Sequence, residues 1–182
     1  MSEGTRTNKE RTLTVVLGGA RSGKSSFAEG IVSAQPGTRV YIATAEAFDD
    51  EMRTRIAEHR ARRSAEWKTV DAPLDLADAI HTHNARDASV LVDCLTLWLT
   101  NLMLGDHDLD AKTGELLDRL AARQGPITLV TNEVGQGIVP DNRLGRRFRD
   151  AQGRLNQQVA AVADEVYLVV AGIPLRIKPA PG

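Results

Sequence analysis

The stretch Thr12-Leu-Thr-Val-Val-Leu-Gly18-Gly19-Ala20-Arg21-Ser22-Gly23-Lys24-Ser25 decides the fold. Its opening, Thr12 to Gly18, is a short β-rich apolar run ending in glycines, the pattern of a buried strand. Gly18 to Ser25 matches G-x-x-x-x-G-K-[ST] in full, and Lys24 to Ser33 continues as a helix. Strand, glycine-rich loop and helix in that order make a phosphate-binding loop. The glycines let successive backbone N–H groups turn inward around phosphate oxygens, and the helix adds the positive end of its dipole. Lys24 is expected to reach the β- and γ-phosphates, and the Ser25 hydroxyl to ligate Mg²⁺. An ordinary glycine turn is the alternative, and the strand and helix on either side weigh against it.

Similar apolar runs recur at Arg39–Thr44, Ser89–Asp93, Ile127–Thr131 and Glu165–Ala171. Near-continuous Val, Ile and Leu indicate strands covered on both faces. Helices are predicted between them at Asp49–Arg63, Leu74–Ile80, Leu95–Leu104, Gly114–Arg123 and Asn142–Ala163. The last carries Leu144, Phe148, Ala151, Leu155, Val159 and Val162 on one stripe. Such alternation gives an α/β fold, three layers around a mainly parallel sheet. Residues 1–11 read as a flexible leader and 12–182 as a single P-loop nucleotide-binding domain.

Composition narrows the function. The chain has 182 residues, 23 basic and 24 acidic, for a net charge of −1, which argues against a nucleic-acid binder. Hydrophobic residues at 42% exclude a disordered chain. The lone cysteine, Cys94, excludes an internal disulfide and suits a reducing compartment. No apolar run reaches the roughly 18 residues of a membrane helix, and the polar start is unlike a secretory signal. A cytoplasmic protein with no membrane span is expected. Locally, Arg53–Lys68 and Arg143–Arg154 each carry a net +4 and Asp71–Asp118 a net −8. The basic segments suit either binding of a small anion such as a nucleotide or plain solvated helix faces.

Two further features bear on chemistry. Val90-Leu-Val-Asp93 is an apolar strand ending in aspartate, placed either to join Ser25 at Mg²⁺ or to cap the next helix. His59 shares a helix face with Ile56 and Met52, which suits a core histidine. However, Arg60, Arg62 and Arg63 follow directly. Their charge favours a neutral imidazole, which can act as a nucleophile toward phosphorus while the arginines hold the phosphates.

These segments carry a resemblance. The chain resembles the bifunctional adenosylcobinamide kinase / adenosylcobinamide-phosphate guanylyltransferase family of cobalamin biosynthesis over residues 13 to 178. The matching stretches include Gly18–Ser25, Tyr41-Ile-Ala-Thr44, Asp50-Glu-Met52, His59–Trp67, Thr131-Asn-Glu-Val-Gly-Gln-Gly-Ile-Val-Pro140, Phe148-Arg-Asp150 and Gly153-Arg-Leu-Asn-Gln157. The P-loop is widely shared; the segments at His59 and at Thr131–Pro140 are far more specific.

The resemblance implies a RecA-like P-loop NTPase fold, a homotrimer and two reactions. The aminopropanol hydroxyl of adenosylcobinamide takes a phosphoryl group from ATP or GTP. A histidine then attacks the α-phosphate of GTP, and the guanylyl-histidine passes GMP to adenosylcobinamide phosphate. The nucleophile falls on His59, with Lys24 serving catalysis from the P-loop. Nucleotide contacts fall on Gly18, Gly19, Ala20, Arg21, Ser22, Gly23, Lys24, Ser25, Ala43, Thr44, Ala45, Arg60, Ala61, Arg62, Arg63, Asp71 and Asp93. From the phosphate-loop reading above, Ser25 and Asp93 are expected to ligate the metal.

Other residues read as structural. His81 and His83 do not face one another on a helix and lack partners at metal spacing. His107 reads as solvated, Cys94 as a buried small residue, and Trp67 and Trp98 as core or interface. Asn132 and Glu133 end a strand where α/β sheets place ligands, or else fix the loop there. Two competing functions are a small P-loop kinase with a structural His59, and a GTP switch or RecA-like ATPase module. No Asn-Lys-x-Asp guanine motif follows the fourth apolar run, which weakens the switch.

Overall fold

The computed structural model describes residues 11–46 and 66–179. The helix expected over Asp49–Arg63, with His59 and Arg60 to Arg63, lies outside them. In chain order the elements are β1 (Leu13–Gly18), α1 (Lys24–Ser33), β2 (Thr38–Ala43), β3 (Trp67–Asp71), α2 (Leu76–His83), β4 (Ala88–Asp93), α3 (Leu95–Leu104), α4 (Leu109–Ala121), β5 (Ile127–Asn132), α5 (Arg143–Val162), β6 (Glu165–Val170) and β7 (Ile173–Lys178).

The strands form one seven-stranded sheet in the order β3-β2-β4-β5-β1-β6-β7. Every pairing is parallel except β6 with β7. Side chains alternate across a strand, so the central strands feed two cores. Leu13, Val15, Val40, Ile42, Val90, Val92, Ile127 and Leu129 face one side, where they meet Leu76, Leu95, Trp98, Leu116 and Leu155 of α2 to α5. Val16, Tyr41, Leu91 and Val130 face the other, against Ala28 and Val32 of α1. Burial on both faces is why these strands read as continuous apolar runs.

Among the described residues, seven strands replace the five expected. The missed β3 and β7 are half-exposed or exposed. Their sequences lack a continuous apolar run, and pairing with β2 and β6 makes them strands. The helix expected from Leu74 begins at Leu76, because Pro73 and the N-cap Asp75 precede it, and it runs on to His83. The helix expected from Gly114 begins at Leu109 and ends at Ala121. The Asp108 carboxylate accepts from the N–H groups of Asp110 and Ala111, supplying the start signal. The last apolar run ends at Val170, because Ala171 (φ 51°) and Gly172 (φ 80°) form a two-residue hairpin turn.

Candidate nucleotide-binding site

Parallel pairing brings the carboxyl ends of six strands to one edge, where open α/β sheets place ligands. Ala43 stands opposite Asp71 on one side and Asp93 on the other. Gly18 stands opposite Asn132, and β5 lies between the P-loop strand and the Asp93 strand. The sheet thus gathers Gly18 to Ser25, Ala43 to Ala45, Asp71, Asp93 and Asn132 along one margin, although their separation in the chain is large.

The P-loop turns sharply after Gly18. A Cβ at Gly18 would collide with the Ser22 hydroxyl and lie 2.7 Å from the Val169 carbonyl, so only glycine fits. Gly23 sits at φ 93° in the left-handed region, and a Cβ there would stand 3.1 Å from Cα of Gly172. The hairpin turn braces the loop, with the Gly172 N–H donating to the Ser22 carbonyl at 2.8 Å. Lys24 Nζ donates to the Gly19 carbonyl at 3.1 Å, folding its ammonium back over the loop. Gly19, Ala20 and Arg21 are exposed, Ser25 is half-buried, and the Ser22 hydroxyl is buried without a hydrogen-bond partner. The loop therefore keeps its outer backbone open to a ligand.

Asp93 does not cap α3. The N-cap is Cys94, with no side-chain bond to the helix. Instead the Tyr41 hydroxyl donates to Asp93 Oδ2 at 2.9 Å, fixing the carboxylate on the α1 side of the sheet. Burial, and then the neighbouring Asp93 charge, push the Cys94 thiol up to about 11, while the backbone N–H groups of Leu97 and Thr96, and last the Lys24 ammonium, work against the rise.

Thr44 is fully buried, and its hydroxyl donates to the Cys94 carbonyl at 2.7 Å while accepting from the Cys94 N–H at 2.9 Å. Its side chain is turned inward, so Ala43, half-buried Ala45 and exposed Asp71 face the margin more openly. Asn101 clamps the same region by donating to the carbonyls of Thr44 (2.8 Å) and Pro73 (3.1 Å).

The end of β5 is held by side chains that sequence inspection did not connect. The Thr96 hydroxyl accepts from the Asn132 N–H at 2.8 Å, and Asn156 Nδ2 donates to the Asn132 carbonyl at 3.0 Å. Gln152 Nε2 donates to Thr131 Oγ1 and to Asn156 Oδ1, both at 2.9 Å. Asn132 Oδ1 is buried without a partner, and Glu133 fixes the loop by accepting from the Gly135 N–H at 2.6 Å. Only the three-dimensional meeting of α3, α5 and β5 makes this network visible.

Trp98 is buried and donates to the Leu74 carbonyl at 3.0 Å. Trp67 packs edge-on against Tyr41 with ring centroids 6.3 Å apart. His83 Nδ1 lies 3.5 Å from Lys68 Nζ, and burial together with that ammonium lowers its pKa. His107 is exposed.

A phosphate loop between the first strand and first helix, with a strand-end carboxylate one strand away, defines a P-loop nucleotide-binding protein with a RecA-like sheet. Two ATPases of bacterial type III secretion systems share that fold. EscN from enteropathogenic Escherichia coli superposes with a TM-score of 0.55 at 13% identity, covering 88% of this chain and 43% of its own. A second such ATPase gives 0.55 and 13%, covering 87% and 51%. This chain thus spans about half of either ATPase, and the likeness concerns the fold alone.

The chain belongs to the cobinamide kinase / cobinamide phosphate guanyltransferase family, whose model matches residues 14–177. It is 49% identical over 170 residues to the bifunctional adenosylcobalamin biosynthesis protein CobP of Pseudomonas aeruginosa, covering 92% of this chain and 98% of the relative. It is 44% identical over 181 residues to the corresponding CobU protein of Escherichia coli K12, covering 91% and 99%. Family membership makes it a transferase of cobalamin biosynthesis with kinase and guanylyltransferase activities.

Proposed function

We propose that the chain phosphorylates the aminopropanol hydroxyl of adenosylcobinamide with ATP or GTP. It then moves GMP from GTP through a guanylyl-histidine at His59 to adenosylcobinamide phosphate, giving adenosylcobinamide-GDP. The observation that carries this reading is the sheet margin itself, where the open P-loop and the fixed Asp93 carboxylate flank the end of β5.

Backbone N–H groups of Gly19 to Lys24 grip the phosphates, and Lys24 neutralises charge that builds on the transferring phosphoryl group. The Ser25 hydroxyl and the Asp93 carboxylate offer oxygen donors of the kind Mg²⁺ takes, and the ion would neutralise phosphate charge when bound. Ala43 to Ala45 and Asp71 border the nucleotide along the adjoining strand ends. In the second reaction an imidazole nitrogen of His59 attacks the α-phosphorus of GTP. The N–P bond forms as the α–β bridging P–O bond breaks, and pyrophosphate leaves. A phosphate oxygen of adenosylcobinamide phosphate then attacks the same phosphorus, the N–P bond breaks, and the imidazole is regenerated. Arg60, Arg62 and Arg63 hold GTP phosphates for the attack. A homotrimer acting in the cytoplasm completes the reading.

The test is intact-protein mass after incubation with GTP and Mg²⁺. Addition of one GMP is expected, with label from the α but not the γ position, labile to acid and resistant to alkali. His59→Ala, checked for folding by its thermal transition, is expected to make adenosylcobinamide phosphate with ATP but to form no adduct and no adenosylcobinamide-GDP. A folded variant that retains α-label and guanylyl transfer overturns the role of His59. Hydrolysis of GTP alone by the wild type favours an ATPase- or GTPase-type module.

A further inference from the structure

Above the end of β5, the C-terminal half of α3 and the first turns of α5 enclose a groove of about 370 Å³, with Thr100, Met103 and Leu104 on one wall and Asn142, Leu144 and Phe148 on the other. We propose that this groove seats one edge of the corrin macrocycle of the acceptor, so that its hydroxyl-bearing arm reaches the phosphate loop. The proposal rests on the activity proposed above and names a binding surface for its acceptor.

Position is the first argument. Thr100 lies one turn along α3 from Thr96, to whose carbonyl its hydroxyl donates at 2.9 Å. Thr96 in turn holds the Asn132 N–H. Phe148 lies one turn before Gln152, which holds Thr131. The nearest residue of each wall, Thr100 or Phe148, therefore stands one helical turn, a rise of about 5.4 Å, from a side chain that holds the end of β5. That strand end lies between the P-loop strand and the Asp93 strand. The groove is thus built on two helices whose side chains are anchored at the margin where phosphoryl transfer is placed.

Chemistry is the second. Met103, Leu104, Leu144 and Phe148 give apolar walls, while Thr100 and Asn142 bring polar groups to the same groove. Leu104 and Leu144 are 60% and 52% exposed, and Ile138 and Val139 on the β5–α5 connection are 98% and 57% exposed. Within the groove, the exposed Leu104 and Leu144 leave apolar surface on both walls that a bound apolar ring would cover. A flat ring with apolar faces and a rim of amide side chains matches walls of this kind. A bare phosphate or a strongly charged peptide does not. The volume suits an edge of such a macrocycle, with the remainder outside.

Preorganisation is the third. Asn142 Oδ1 accepts from the Gly145 N–H at 2.7 Å, and Arg146 Nη1 donates to the carbonyls of Pro140 (3.0 Å) and Asp141 (2.8 Å). The connection is tied down at the mouth of the groove, so seating a ligand there costs little ordering.

The experiment uses the full chain carrying Leu104→Glu or Leu144→Glu, both at exposed positions, with thermal transitions and sedimentation measured alongside. Adenosylcobinamide binding is read by equilibrium dialysis, kinase KM is measured for corrinoid and for ATP, and α-label uptake from GTP is followed without corrinoid. At least tenfold weaker corrinoid binding and a matching rise in corrinoid KM are expected, with ATP KM and α-labelling unchanged. Folded variants with wild-type corrinoid binding overturn the proposal. So does a change in sedimentation accompanied by loss of α-labelling, which would make the groove a contact between copies. Wild-type protein that neither binds nor phosphorylates adenosylcobinamide overturns the proposed activity itself, whereas an active wild type with indifferent variants overturns the groove alone.

Discussion

Lys24 and Cys94 show how position sets chemistry at the scale of one residue. The Lys24 ammonium lies over the loop it serves, bonded to the Gly19 carbonyl. Both proposed reactions begin with a triphosphate in that loop, so Lys24→Ala is expected to lower both rates by roughly 10²-fold or more. Initial-rate assays of phosphorylation and of α-labelling check this, and near wild-type rates in both would remove Lys24 from the chemistry. Cys94 is buried beneath the margin, and its thiol is held protonated up to about 11. An alkylating reagent is therefore expected to label it at pH 8 only after denaturation, read as mass added with and without urea.

At the scale of the element, helix starts matter most near the site. Asn142 caps α5 through the Gly145 N–H, at the mouth of the groove and directly after the β5–α5 connection. Asn142→Ala is expected to cost about 1 kcal/mol, seen as a lower urea midpoint at unchanged slope. An unchanged midpoint would mean that the cap contributes nothing against its solvated alternative. The β6–β7 hairpin has a second duty beyond closing the sheet. Its turn donates from Gly172 to the Ser22 carbonyl, so a sheet-edge element supports the phosphate loop.

For the whole molecule, the raised Cys94 thiol makes stability depend on pH in the alkaline range. The unfolded chain releases the thiol proton above its ordinary value near 9, while the folded chain keeps it to about 11. The folded state thus binds more protons across this window, and stability falls as pH rises through it. The loss is about 1.4 kcal/mol per pH unit for one such group. Urea midpoints at pH 9, 10 and 11 for wild type and Cys94→Ala test it. A smaller decline in the variant is expected, and parallel declines would assign the effect to other groups.

The sequence by itself determined what local chain chemistry decides. Gly18 to Ser25 was legible as a phosphate loop because its spacing of glycines, lysine and serine is local, and Gly23 supplies the left-handed backbone at φ 93° that the turn takes. The central strands were legible because burial on both faces demands unbroken apolar runs, and α5 because its apolar stripe repeats at helical spacing. Tertiary structure alone decided the rest. The edge strands β3 and β7 owe their conformation to partners rather than to their own residues, since an exposed strand needs no apolar signature. Strand order placed β5 between Gly18 and Asp93, and only that order puts Asn132 at the centre of the margin. Tyr41 meets Asp93, and Thr96, Gln152 and Asn156 meet the end of β5, across long stretches of chain. Such pairings leave no local pattern, because hydrogen bonds between distant residues are selected by how helices pack on the sheet.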